Sequence, residues 1–219
     1  MKCNMNKLAI FDLDGTLIDS IHDIADNINL MLTHFGYPIK TEKEVMSFVG
    51  FGAKQLVLSA IGKKISEEQA ERCLSYYNNL YTASNSPKTK VFHGIKKVLK
   101  ELKKRGYILS ILSNKPQETL DNVYNNYLNN LGFSDYIGGS INRKRKPDTS
   151  ETEKLLKKYS IEKENAYMIG DGEADVLTAI NSSINSVAVL WGYRDKEALK
   201  SVGATVFAQK PSYLLNILK

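Results

Sequence analysis

Cysteine is scarce in this chain, with only Cys3 and Cys73 among 219 residues. The two lie far apart in unrelated contexts, so a disulfide framework of the kind found in small secreted domains is not indicated. We expect two reduced thiols and a cytoplasmic location.

Long apolar runs are also missing. No stretch approaches the roughly 18 consecutive apolar residues that a membrane-spanning helix requires. The first apolar run ends at Asp12 after four residues, which is too short for the core of a signal peptide. We therefore expect no membrane partner.

Charged residues are plentiful, with 30 Lys and Arg against 24 Asp and Glu and a net charge of +6. This excess is compatible with a nucleic acid or an anionic small molecule as partner, although lysine-rich surfaces are common. The hydrophobic fraction of 42% and the charged fraction of 25% are typical of globular proteins. The length allows one large domain, or a domain with a smaller one inserted.

Apolar runs alternate with helical patterns along most of the chain. The runs predict strands at residues 8–11, 107–112, 136–138, 166–169 and 187–190, with a weaker sixth strand at 204–207. Helical spacing occurs at residues 95–102, 117–128 and 151–159. Alternation of this kind predicts an α/β fold whose core is a Rossmann-like, doubly wound parallel sheet.

Residues 18–88 interrupt the alternation. They contain no convincing strand, and helical patterns occupy residues 21–34, 42–48, 53–61 and 67–81. We expect an all-helical cap at 18–88, inserted into a core made of residues 1–17 and 89–219. A cap beside a strand end can act as a lid that excludes water; a helical subdomain without a catalytic role is the alternative.

Two carboxylates, Asp12 and Asp14, follow the first predicted strand. Residues two apart lie on the same side of an extended chain, and Gly15 permits a turn directly afterwards. Ligands bind at the carboxyl ends of strands in open α/β sheets. The pair can hold Mg²⁺, or one acid can be a nucleophile and the other a proton donor; a surface turn is the alternative.

Three further motifs follow other predicted strands. Ser113 and Asn114 offer a hydroxyl and backbone amides to an anion, or form a plain turn and helix cap. Lys146 could neutralise a phosphate, or belong to a solvated or nucleic-acid-binding basic run at 143–146.

Asp171 and Asp175 share a face if a helix begins there. They complete an oxygen-rich Mg²⁺ site with the first motif, or complement the helix dipole.

Together these motifs resemble those of the haloacid dehalogenase superfamily of phosphatases, over nearly the whole chain. The resemblance implies that Asp12 attacks phosphorus to form an aspartyl-phosphate. It implies that Asp14 protonates the leaving alcohol and then activates water. Ser113, Asn114 and Lys146 are then the phosphate-binding residues. The matching segments are residues 12–20 (Asp-Leu-Asp-Gly-Thr-Leu-Ile-Asp-Ser), 113–115 (Ser-Asn-Lys), 146–147 (Lys-Pro) and 170–175 (Gly-Asp-Gly-Glu-Ala-Asp).

A metal site is also implied by the resemblance. Asp12, Asp171 and the backbone carbonyl of Asp14 would bind Mg²⁺, and Asp175 would support the site. The pattern departs from the family at Thr149, where a proline is usual and helix entry should be looser, and at Gly172, where serine is more frequent.

Within the superfamily the chain looks most like phosphoglycolate phosphatases. Residues 48–52 resemble their cap loop, which implies substrate specificity at Phe48, Gly50 and Gly52. Residues 189–193 resemble the segment after the fifth strand, although ordinary packing would also explain Trp191 and Tyr193.

The function expected from the sequence is Mg²⁺-dependent hydrolysis of a small phosphorylated metabolite, with 2-phosphoglycolate as first candidate. Alternatives within the superfamily are a pyrophosphatase, a nucleotidase, a sugar-phosphate phosphatase or a phosphoglucomutase. A catalytically silent phosphate-binding protein is disfavoured because the acids are all present. Nucleic-acid binding rests only on residues 143–146, a basic run without interleaved aromatics. Both a monomer and a homodimer remain open.

Overall fold

Eight strands form in the part of the chain that the computed structural model describes, which is residues 7–84 and 86–219. They are β1 (Lys7–Phe11), β2 (Ile18–Asp19), β3 (Lys90–Val91), β4 (Tyr107–Pro116), β5 (Asp135–Gly139), β6 (Ala166–Gly170), β7 (Asn185–Val189) and β8 (Phe207–Ala208). Six of them make a parallel sheet in the order β5-β4-β1-β6-β7-β8. Counted along the chain, this is the doubly wound order 3-2-1-4-5-6. The predicted fold class is confirmed.

The central strand, β1, is buried on both faces. Leu8 and Ile10 pack on one face in a core cluster with Leu155, while Ala9 and Phe11 pack on the other with Leu99. Parallel strands covered by helices on both sides read as continuous apolar runs. This explains why the strand appears in the sequence as an unbroken apolar stretch.

Ten α-helices are seen among the described residues. They are α1 (Ile21–His34), α2 (Glu42–Phe48), α3 (Ala53–Ile61), α4 (Glu67–Ala83), α5 (Ile95–Lys104), α6 (Gln117–Val123), α7 (Ser150–Tyr159), α8 (Glu173–Ser182), α9 (Lys196–Ser201) and α10 (Leu214–Ile217). Helix α6 continues into a π-helical turn at Tyr124–Leu128. The helix predicted at 117–128 is therefore α-helical in its first part and π-helical in its second. Among residues 7–84 and 86–219, no helix combines the length and apolar character needed to span a bilayer.

Helices α1 to α4, which we call the inserted helices, share an apolar core of their own. Local signals set their boundaries: Thr41 and Glu44 form a reciprocal capping box at the start of α2, and the Ser66 side chain caps α4. Cys73 is a free thiol buried in this core, whereas Cys3 lies outside the described residues.

The inserted helices are joined to the sheet by a short antiparallel pair, in which β2 contacts β3. The carboxylate of Asp23 reinforces this connection by accepting hydrogen bonds from the Lys88 amide at 3.1 Å and the Thr89 hydroxyl at 2.7 Å. The expectation that residues 18–88 contain no strand was therefore wrong at Ile18–Asp19. A two-residue strand is too short to show any periodicity.

The weak sixth strand was also misplaced. It was predicted at residues 204–207 but lies at Phe207–Ala208. Ala204 instead ends the turn after α9, where its amide donates to the Leu199 carbonyl at 3.0 Å. In addition, β4 continues to Pro116, beyond its predicted end at residue 112.

Candidate active site

The predicted site residues meet at the carboxyl edge of the sheet. Asp12 follows β1, Ser113 lies near the end of β4, Lys146 lies between β5 and α7, and Asp171 follows β6. These strands are neighbours and parallel, so their ends present side chains at one edge. The four motifs, which are far apart in the chain, form one site.

Lys146 is buried and held between two carboxylates. Its Nζ atom lies 2.8 Å from Asp12 Oδ1 and 2.5 Å from Asp175 Oδ1. Burial by itself lowers the pKa of a lysine, but these two acids outweigh it and raise the pKa of Lys146 above its usual range. Lys146 therefore keeps its positive charge beside Asp12.

Three acids crowd around this single cation. Asp12, Asp171 and Asp175 each place a carboxylate oxygen within 4.8 Å of the others. Burial, with repulsion from Asp175, raises the pKa of Asp12 to about 8 and that of Asp171 to about 7. One lysine does not balance three carboxylates, and a carboxylate oxygen set suits a hard divalent cation. The residues present therefore fit the expected Mg²⁺.

The oxygens of these acids are oriented by hydrogen bonds. The Thr16 hydroxyl donates to Asp171 Oδ1 at 2.7 Å, and the Tyr193 amide donates to Asp171 Oδ2 at 2.8 Å. Asp175 accepts from the Gly172 amide at 3.0 Å through the oxygen that does not pair with the lysine. Such partners fix the direction of potential metal ligands. The division into ligand (Asp171) and supporting residue (Asp175) stays a prediction.

Gly15 allows the first motif to approach the fourth. It has a φ of +84°, and a Cβ atom at this position would lie 2.2 Å from Asp171 Oδ2. The turn expected from the sequence is thus present, and the absence of a side chain also makes room for a carboxylate.

Asp14 has different neighbours from Asp12. Its Oδ1 accepts a hydrogen bond from the Ser20 hydroxyl at 2.5 Å, and both of its oxygens lie 3.1 Å from Lys115 Nζ. The Tyr193 hydroxyl in turn lies 3.3 Å from the Ser20 hydroxyl. Two acids that are two residues apart in sequence are therefore paired with two different lysines.

The Asn114 side chain connects three parts of the site. Its Oδ1 accepts from the Lys146 amide at 2.8 Å, and its Nδ2 donates to the carbonyls of Lys146 at 3.2 Å and Gly50 at 2.9 Å. Ser113 is buried beside it, and its hydroxyl accepts from the Lys115 amide at 3.2 Å. Phosphate binding by Ser113 and Asn114 stays a prediction.

A partly open cavity lies between the sheet edge and the inserted helices. Gly50 and Gly52 line it, whereas Phe48 packs against the core of the inserted helices. The complete lining is Asp12, Asp14, Ile24, Val49, Gly50, Gly52, Ala53, Leu56, Tyr77, Asn78, Tyr81, Ser113, Asn114, Lys115, Pro116 and Thr119. Its walls are apolar or uncharged on the helical side and charged at the sheet edge, as in many small-molecule sites.

Sequence reasoning missed two basic residues at the site. Lys115 is the last residue of the motif at 113–115, and the sequence alone assigns it no role. Arg194 follows the 189–193 segment; its Nε pairs with Glu173 at 3.0 Å, and its terminal nitrogens donate to the Met46 and Val49 carbonyls at 2.9 and 2.6 Å. Both are single basic residues without a periodic pattern, so only the motifs adjacent to them point to the site.

The departures from the family pattern are accommodated locally. The Asp148 carboxylate accepts a hydrogen bond from the Ser150 amide at 2.9 Å, where α7 begins, and no Thr149 side-chain cap is seen. At Gly172 a Cβ atom would lie 3.4 Å from Asp175 Oδ2, which is ordinary contact. Within the basic run, Arg143 points inward and donates to Gln117 at 2.7 Å.

Comparisons with known proteins agree with this geometry. The sequence model of the haloacid dehalogenase-like hydrolase family matches residues 9–189. The chain is 29% identical to phosphoglycolate phosphatase of Vibrio cholerae over 218 residues, covering 97% of this chain and 96% of that protein. It is 32% identical to phosphoglycolate phosphatase 1 of Pseudomonas aeruginosa over 192 residues, covering 85% and 70%.

Solved structures give the same result. A crystal structure of a predicted phosphoglycolate phosphatase from Haemophilus somnus superposes with a TM-score of 0.89 at 25% identity, covering 98% of this chain and 99% of that one. Sequence match, fold and site geometry therefore agree: the chain belongs to the haloacid dehalogenase-like hydrolases, and it is similar to the phosphoglycolate phosphatases among them.

Proposed function

We propose that this enzyme is a Mg²⁺-dependent phosphatase of small phosphorylated metabolites, with 2-phosphoglycolate as the first candidate substrate. The observation that carries the proposal is the pairing of two acids with two separate lysines at one cavity: Asp12 with Lys146 and Asp14 with Lys115. The similarity to phosphoglycolate phosphatases from two organisms supports the substrate.

Asp12 is the proposed nucleophile. One of its carboxylate oxygens attacks phosphorus, the bond from phosphorus to the leaving oxygen breaks, and Asp14 gives its proton to that oxygen. Asp14 then removes a proton from water, the water oxygen attacks phosphorus, and the bond to Asp12 breaks to release phosphate. Asp12 is thus the nucleophile in the first step and the leaving group in the second, and Asp14 is first the acid and then the base.

The remaining residues neutralise and hold the phosphoryl group. Lys146 and the Ser113 hydroxyl face its oxygens, and Asn114 fixes the backbone at Lys146. Mg²⁺, when held by Asp12, Asp171 and the Asp14 carbonyl, supplies positive charge that offsets the repulsion between the nucleophile and the anionic ester.

We also propose that residues 18–88 act as a cap on a core formed by residues 1–17 and 89–219. Two contacts support this: the Asn114 amide holds the Gly50 carbonyl, and Arg194 holds the end of α2. Both bind the loop that lines the cavity, so the inserted helices are placed to exclude water from it.

A panel of substrates tests the proposal. Phosphate release is measured from 2-phosphoglycolate, pyrophosphate, nucleotides and sugar phosphates, with Mg²⁺ and with EDTA. We expect Mg²⁺-dependent release that is most efficient with 2-phosphoglycolate, and no turnover by Asp12→Asn. Release by Asp12→Asn, or equal release in EDTA, would contradict the proposed chemistry, whereas preference for another panel member would contradict only the substrate.

A further inference from the structure

Lys115 is a buried cation that pairs with Asp14 and has no contact with the phosphoryl group in the proposed reaction. Its side chain is 7% exposed, and its Nζ atom lies 3.1 Å from both Asp14 oxygens and 3.1 Å from the Tyr81 hydroxyl. The phosphoryl group already has its own lysine in the proposed reaction, Lys146, which pairs with Asp12. Burying a second lysine costs free energy, which its ion pair with Asp14 helps to offset.

The location of Lys115 matches the alcohol side of a bound ester. Asp14, as the proposed proton donor, must lie within hydrogen-bond distance of the leaving oxygen. Lys115 contacts that same carboxylate and lines the cavity between the sheet edge and the inserted helices. A group on the carbon next to the leaving oxygen would therefore lie beside the lysine.

The charge pattern of the cavity indicates what this group is. Among the described residues that line the cavity, Lys115 is the one cation, and the lining from the inserted helices is uncharged. The ammonium group has three N–H donors. Its contacts are the two Asp14 oxygens and the Tyr81 hydroxyl. When one N–H is shared between the two Asp14 oxygens, another can turn to an incoming anion.

We propose that Lys115 is a specificity-determining residue that binds a carboxylate on the alcohol portion of the substrate, so that the enzyme selects small phosphomonoesters of hydroxy acids. This inference rests on the proposed function and names the feature by which the site would recognise 2-phosphoglycolate. Tyr81 positions the lysine through its hydroxyl and through its ring, whose centre is 4.3 Å from Nζ.

Binding of non-hydrolysable phosphonates tests the inference without requiring turnover. The probes are 3-phosphonopropionate, which carries the carboxylate, and 3-hydroxypropylphosphonate, which replaces it with an alcohol. Calorimetry should show tighter binding of the carboxylate probe by the unchanged enzyme, by about 30-fold, as for a charge-assisted hydrogen bond. Lys115→Met should reduce this preference to about 3-fold or less, while the exposed-surface control Lys100→Met should keep it.

Lys115→Gln serves as a second variant, because it retains hydrogen bonding to Asp14 and Tyr81 if the methionine variant fails to fold. A carboxylate preference that survives in the folded glutamine variant overturns the inference, as does its absence from the unchanged enzyme. The proposed function is judged separately by phosphate release. If the enzyme prefers the carboxylate probe through Lys115 but does not hydrolyse 2-phosphoglycolate, the inference stands and the proposed function is rejected. If it hydrolyses 2-phosphoglycolate but binds both probes equally, the proposed function stands and the inference is rejected.

Discussion

Asp12 and Asp14 differ at the residue scale in what surrounds them. Asp12 shares Lys146 with Asp175 and faces a third acid, Asp171. The excess of negative charge there destabilises the ionised carboxylates unless a metal is bound. Asp14 instead accepts hydrogen bonds from a hydroxyl and an ammonium group. Asp12 therefore lies where a metal ion can neutralise its charge, whereas the charge of Asp14 is neutralised by Lys115.

Asp12→Asn is expected to stabilise the metal-free fold while removing activity. It takes one charge out of a buried group of three acids, and Lys146 keeps its ion pair with Asp175. We expect Tm in EDTA to rise by about 3 °C, as for about 1 kcal/mol in a chain of this size, and this is measured by thermal unfolding at pH 8. A lower Tm would show that the Asp12–Lys146 pair outweighs the repulsion.

Asp14→Asn is expected to separate substrates by their leaving groups. An alkyl alcohol needs a proton in order to leave, whereas p-nitrophenolate does not. The rate of the first step should fall about 10³-fold for 2-phosphoglycolate and much less for p-nitrophenyl phosphate. Because water activation is also lost, rapid mixing should show a burst of one nitrophenolate per enzyme. Equal losses for both substrates, without a burst, would contradict the acid role.

At the scale of elements, the segment after β7 connects the sheet with the inserted helices. The Trp191 indole donates to the Thr16 carbonyl at 3.1 Å, and the Tyr193 hydroxyl accepts from the Ser20 amide at 3.0 Å. Arg194 continues this series by donating to carbonyls at the end of α2. The segment therefore connects the first motif with the end of α2 through specific hydrogen bonds, and not through apolar packing alone.

Arg194→Ala is expected to loosen residues 46–52, which are the end of α2 and the loop that follows it. Charge-assisted hydrogen bonds to the Met46 and Val49 carbonyls would be lost, and Glu173 would lose its partner. We expect faster amide hydrogen exchange in this loop and a fall in kcat/KM of about 10-fold.

Lys200→Ala is the matched control for this prediction, because Lys200 is an exposed lysine that pairs only with Glu197 at 3.0 Å among the described residues. Exchange in residues 46–52 should not change in the control. Unchanged exchange in Arg194→Ala would show that the arginine does not hold the loop.

At the scale of the whole molecule, buried acids link stability to pH. Burial and Asp175 raise the pKa of Asp12 to about 8, and burial raises that of Asp171 to about 7. The unfolded chain releases these protons near pH 3.8. Between pH 4 and 8 the folded state therefore binds more protons, and the free energy of unfolding falls as pH rises.

The metal-free enzyme should accordingly have a lower Tm at pH 8 than at pH 5. Added Mg²⁺ should raise Tm more at pH 8 than at pH 5, because protons compete with the metal for the carboxylates. Thermal melts of the unchanged enzyme and Asp171→Asn, with Mg²⁺ or EDTA, measure both effects. The Tm of Asp171→Asn should depend less on pH than the Tm of the unchanged enzyme. An equal change of Tm with pH in both proteins would show that Asp171 is not a source of the pH dependence.

Local sequence was enough to predict most of the secondary structure. The apolar stretch of β1 is continuous because both faces of the sheet are covered, and α1, α2 and α3 lie where their periodicity placed them. The motifs that follow four strands could be assigned to one site, because parallel strands end at one edge. Failures occurred where the signal was short, as in β2 and β8.

Pairing between distant side chains was decided only by the tertiary structure. Lys115 meets Asp14 across 101 residues of chain, and Arg194 reaches α2 across about 150 residues. The periodicity of a segment shows which face of a helix or strand is buried, but it carries no information about which charged side chain lies opposite. The residues proposed to act on the phosphoryl group could therefore be predicted from the sequence motifs. In the proposed function, the choice of alcohol is set by Lys115 and by the inserted helices around it.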